Sequence, residues 1–151
     1  MKEKAVLLTS NTPDSPTLEQ FTQWVETVFN HFKKEFQVSI EIVNDKTSQQ
    51  LNNDYRGKNK ATNVLSFPLE LPDYLDEPLL GDLAICADVV KKEALEQNKK
   101  EMNHWAHLTI HGTLHLLGFD HIEDDEAEEM EAIEIKLLQI LGIANPYRDS
   151  D

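Results

Sequence analysis

Cysteine is almost missing from this chain. Cys86 is the only one in 151 residues, so no disulfide can form within it, which fits a reducing compartment. Long apolar runs are missing too. The opening MKEKAVLLTS holds an apolar run of only four residues, too short for a secretion signal, and no window reaches the length of a membrane span. The expected compartment is therefore the cytoplasm, with no membrane partner. Positive charge is scarce: Lys and Arg number 14 against 28 Asp and Glu, a formal net charge of −14. Phosphate backbones are normally gripped by Lys and Arg, so such a chain cannot coat nucleic acid indiscriminately. It can still bind phosphate at one focused place, and its acidic face can meet a basic partner. No repeat, low-complexity tract or internal linker breaks the sequence.

What is present suffices for one folded domain. Hydrophobic residues make up 40% of the chain, and its length allows a sizeable core but not two ordinary domains. Residues 4–9 read as a short strand. From Thr17 to Lys34, apolar residues at Leu18, Phe21, Trp24, Val25, Val28, Phe29 and Phe32 give the stripe of an amphipathic helix. VSIEIV at 38–43 is a β-branched strand, and 48–56 a short polar helix stopped by Gly57. NVLSFPLE is a third strand in which Pro68 marks an edge or an end, residues 69–80 a surface loop, and GDLAICA a fourth strand. Helices follow at 88–100, 102–117 and 124–141; the middle one is apolar on most faces and belongs at the centre. The fold class is α/β in element order, in the wider sense α+β: one four-stranded mixed sheet, at least one strand antiparallel, and a buried central helix.

That central helix carries the chemistry. In HGTLHLLGFDH, residues 111–121, His111 and His115 stand four apart, so a helix sets their Cβ atoms about 6 Å apart on one face. Gly118 can end the helix in a left-handed cap, and the turn through Phe119 and Asp120 can swing His121 back. Three neutral imidazoles arranged this way suit a tetrahedral Zn²⁺ with one open position, where a water can be activated for hydrolysis. HxxxHxxGxxH is also the skeleton of the metzincin proteases, whose general base is a Glu directly after the first His. That position is Gly112 here. The metal cage is present and the protease base is not.

This segment, with YRGKNKATNVLSFPLE at 55–70 and GDLAIC at 81–86, resembles the YbeY family of bacterial metal-dependent endoribonucleases and ribosomal RNA maturation factors. The resemblance spans nearly the whole chain, 1–151 as a single domain, with the segments in family order. It implies a zincin-like mixed-sheet fold with one Zn²⁺ per chain on His111, His115 and His121, and an active site completed by Arg56. It also implies a hydrolase that cuts single-stranded ribosomal RNA, mainly the 3′ end of the small-subunit RNA, in ribosome maturation and quality control. Basic small-subunit ribosomal proteins or a ribosome-associated GTPase are the protein partners it allows. Two other classes compete: a metalloprotease-like hydrolase, and a non-catalytic assembly factor with a structural zinc closed by a fourth ligand.

Other residues carry weaker signals. A guanidinium such as Arg56 is well suited to grip phosphate and offset charge developing on it; Lys58 and Lys60 add local positive potential or are plain loop residues. Asn63 and Ser66 either bond RNA from a strand edge or are ordinary polar strand residues. Asp120 either orients an imidazole and accepts a proton or is a turn residue. Asp82 reads as a turn carboxylate, Cys86 as a small buried hydrophobe and His31 as a surface residue. His107, one turn before His111, reads as a packing residue, with an outer or alternate ligand as its other role; His104 shares the same helix. Eight carboxylates between Glu123 and Glu134 read as a helix start, where they complement the dipole and cap amides.

Overall fold

The computed structural model describes residues 5–10, 15–69, 79–119 and 123–147. Its strands are β1 Val6–Ser10, β2 Gln37–Val43, β3 Val64–Pro68 and β4 Leu79–Cys86. Its helices are α1 Leu18–Phe32, α2 Asp45–Arg56, α3 Ala87–Glu96, α4 Glu101–Leu116 and α5 Asp124–Ile140. The sheet runs in the order β1-β2-β4-β3. β1, β2 and β4 are parallel, and β3 returns antiparallel beside β4 as an edge strand, which is where Pro68 is tolerated. The mixed four-stranded α+β architecture expected from the sequence is the one observed.

The boundaries moved where caps decided them. α2 begins at Asp45, not at 48, because the Asn44 side chain accepts from Thr47 N at 2.8 Å. α3 stops at Glu96, short of 100: Asn98 takes a left-handed conformation (φ 54°) and Lys99 N closes onto Ala94 O. Lys99 and Lys100 therefore lie in a loop. β4 starts two residues before Gly81, with Leu79 opposite Gln37; the rest of the expected loop, residues 70–78, lies outside the described residues. α5 has no side-chain cap bond at Glu123. Its leading acids oppose the helix dipole's positive end, but the expected capping of amides is not found among the described residues.

α4 is the buried centre. Trp105, Ile110 and Leu114 are fully buried in a core shared with Phe21 of α1, Ile40 of β2, Leu83 of β4 and Leu137 of α5. The rings of Phe21 and Trp105 meet edge to face at 6.0 Å. Gly112 lets α4 lie close on the sheet: a Cβ there would sit 2.8 Å from Leu83 Cδ2 and 3.2 Å from Val64 Cγ2. Ser66 Oγ of β3 donates to the Gly112 carbonyl at 3.2 Å across the same contact. Gly118, at φ 106°, makes the turn after α4 that a side chain would strain.

Candidate metal centre and catalytic cleft

The site lies where the last turns of α4 face β3 and the end of α2. His111 and His115 are brought together on α4 with their Nε2 atoms 3.1 Å apart. His115 Nδ1 lies 3.0 Å from the Phe119 carbonyl, and His111 Nδ1 lies 2.5 Å from Glu134 Oε1. A carbonyl and a carboxylate only accept, so both Nδ1 atoms carry the proton and both Nε2 atoms present lone pairs. Two lone pairs this close can be bridged by a proton on one of them or by a metal ion. For comparison, two nitrogens on one tetrahedral zinc stand about 3.4 Å apart. Ring nitrogens donating backwards to a carboxylate and a backbone carbonyl are the usual support of metal-bound histidines.

Glu134 is the centre of that support. It is fully buried and takes His111 Nδ1 on one oxygen, while the other accepts from the Tyr147 hydroxyl. His107 Nε2 stands 3.5 Å from the same carboxylate and 3.2 Å from Tyr147 Oη. Burial alone pushes the Glu134 carboxyl up, but the hydrogen bonds and charges of His107 and His111 together outweigh it and hold it down at about 2. Burial, then the bond to the carboxylate, pushes the Tyr147 phenol up. Ligand atoms of His107, His111 and Glu134 lie within 4.8 Å of one another and form a group that could hold a metal ion. Glu134 already spends both oxygens on His111 and Tyr147, so the donor pair that faces the cleft is Nε2 of His111 and His115.

A cleft of about 530 Å³ is lined by both histidines, Gly118 and Phe119, by Asn63, Val64 and Ser66 of the β3 side, and by Tyr55 and Arg56 at the end of α2. Arg56 is exposed, and the ion pairs among the described residues do not include it. Asn63 also lines the cleft, but its side chain is employed, donating to Glu93 and accepting from Val64 N. Lys58, Lys60 and Asp82 do not line it, and Asp82 is exposed on β4. Cys86 is buried, which pushes its thiol up to about 11. His31 is exposed. His104 is buried with Nε2 2.9 Å from Glu93, and burial lowers its pKa despite that carboxylate. Asp120 and His121 lie outside the described residues.

Sequence reading missed Glu134 and Tyr147 and favoured packing for His107 over its other reading, an outer or alternate ligand. A signal existed for Glu134. It shares the apolar stripe of α5 with Met130, Leu137 and Leu138, and a carboxylate on a core stripe needs a buried partner. It was hidden inside an acidic run whose other members are mostly solvated.

A helix-borne histidine pair backed by a buried carboxylate, beside an arginine-lined cleft under a mixed sheet, defines a metal-dependent hydrolase of zincin-like architecture. Three comparisons narrow the class. The family model "Endoribonuclease YbeY" matches residues 8–142. The "Endoribonuclease YbeY" of Colwellia psychrerythraea is 58% identical over 136 residues, covering 87% of this chain and 88% of that protein. A solution structure from Thermotoga maritima superposes with a TM-score of 0.62 at 26% identity, covering 97% of both chains. This chain belongs to the YbeY endoribonuclease family.

Proposed function

We propose that this protein is a zinc-dependent endoribonuclease that cuts single-stranded RNA, with ribosomal RNA, chiefly the 3′ end of the small-subunit RNA, as its substrate. The observation that carries this reading is the His111–His115 Nε2 pair, held at 3.1 Å in the same cleft as Arg56. In this reading His121 is the third ligand, on the strength of the motif's spacing. When bound, zinc supplies Lewis acidity and lowers the pKa of a water from about 15.7 towards about 7.

The chain's own residues do the rest. Glu134 and the Phe119 carbonyl fix the tautomers of His111 and His115. Arg56 holds the scissile phosphate and offsets the charge that grows on its oxygens. Attack by water and attack by the RNA's own 2′-hydroxyl both fit this arrangement. A peptidase is disfavoured twice over: Gly112 has no side chain to act as base, and its position packs against Leu83 and Val64 and does not itself line the cleft. The exposed acids at the start of α5 are the surface offered to a basic ribosomal partner, and their lack of cations keeps RNA from binding there.

Elemental analysis of the purified protein should find close to one zinc per chain, lost as the pH falls below about 6, where histidine takes up protons. His115→Ala should lose zinc and RNA cleavage together. Arg56→Ala should keep zinc and thermal melt but lose most cleavage, with Arg56→Lys recovering part of it, because a point charge cannot replace the bidentate fork. A metal-free, folded native protein would overturn the zinc site. Undiminished cleavage by Arg56→Ala would remove Arg56 from the chemistry.

A further inference from the structure

The catalytic cleft does not end at His111. A cavity of about 290 Å³ adjoins it, sharing Asn63 and His111 with the cleft and reaching His104, His107, Lys99 and Tyr147. Those last four also line a third cavity of about 570 Å³, between the α3–α4 loop and the carboxy-terminal residues 143–147. The three cavities thus follow one another along α4. His104 is seven residues before His111, so the outer cavity is centred about 10 Å along the helix from the metal centre.

The outer cavity has a distinct chemistry. Lys99 and Lys100 supply two cations, Asn98, Asn103 and Asn145 supply amides, and Tyr147 supplies an aromatic face. Lys99 Nζ gives one hydrogen bond to the Pro146 carbonyl, leaving two of its three donors without a partner among the described residues. His104, 4% exposed, and His107 both have a buried Nδ1 with no hydrogen-bond partner among the described residues. The amides can read base edges, the ring can stack on a base and the ammonium groups can meet a phosphate, as in recognition of splayed single-stranded RNA. The volume falls within the range of small-ligand sites, about 300–1,000 Å³.

We infer that this cavity is a subsite for a nucleotide flanking the cleaved one, so that the RNA strand runs from Arg56 past His111 to the start of α4. The inference rests on the endoribonuclease reading. It gives three of the chain's 14 cations a use: Arg56 lies at one end of the path and Lys99 and Lys100 at the other. Burial lowers the Lys99 pKa, a cost that a bound phosphate would offset.

The test is cleavage of single-stranded RNA oligonucleotides of increasing length by the zinc-loaded protein, compared with Lys100→Ala/Asn103→Ala. Neither of these two side chains belongs to the buried core, and a thermal melt checks that the variant is folded. The parent should gain about tenfold in kcat/KM once the oligonucleotide reaches the cavity, and the variant should lose that gain. The variant's RNA affinity should also depend less on salt, with a log–log slope smaller by about 0.7. An unchanged length dependence in the variant would overturn the subsite and leave the endoribonuclease reading standing. Binding of a nucleoside monophosphate in the cavity, with no effect on the length series, would also overturn it. No cleavage of any RNA by the parent would overturn the reading beneath it.

Discussion

At the scale of single residues, the metal centre depends on a carboxylate that never faces the cleft. Glu134 fixes which nitrogen of His111 carries the proton, and Tyr147 fixes Glu134. Glu134→Gln should weaken zinc binding about 10- to 100-fold, the usual cost of losing such an outer partner. Competition against a chromophoric chelator measures it, and unchanged affinity would show that His111 orients itself. Tyr147→Phe should weaken binding less, since the carboxylate stays. Cys86 gives a second prediction. Its thiol is held at about 11 in the fold against an ordinary 9.0. Between those values the unfolded chain gives up its proton first, so stability present below pH 9 should fall as pH rises towards 11. Cys86→Ala should remove this slope from a series of denaturant titrations, at the price of a small cavity.

At the scale of elements, most of the chain was legible because hydrophobic period and caps agree. The α1 stripe, the β-branched β2 and the nearly all-apolar α4 each announce their type, and Gly118 announces the stop. The supporting layer of the site was not legible, because it joins α4 to α5 and to residue 147 through contacts 23 and 13 positions apart. Such pairings follow from packing and leave no local pattern. Gly112 was legible only in part. Its lack of a base is visible in the sequence, whereas its contact with Leu83 and Val64 is a fact of the helix–sheet interface. Gly112→Glu should therefore lower stability by at least about 3 kcal/mol and yield no peptidase, as read by thermal melt and a casein digestion. A stable, folded variant would mean that α4 can lift off β4. Gly112→Ala should be far milder, because the atom it meets most closely is the flexible end of Leu83.

At the scale of the whole molecule, a net charge of −14 disfavours RNA binding in general and leaves it to focused sites. Few phosphates can be neutralised there. The log of RNA affinity against the log of salt should fall with a slope no steeper than about −2, measured by anisotropy between about 50 and about 200 mM salt. A slope beyond about −4 would reveal a basic track not identified along the cleft. The tie from Tyr147 through Glu134 to His111 also has a consequence for timing. During synthesis, α4 emerges from the ribosome before α5 and residue 147, which carry the support of His111. Until residue 147 has emerged and α5 has docked, His111 lacks the partner that sets its tautomer. A nascent chain therefore has its metal-binding sequence before it has the finished support of that centre.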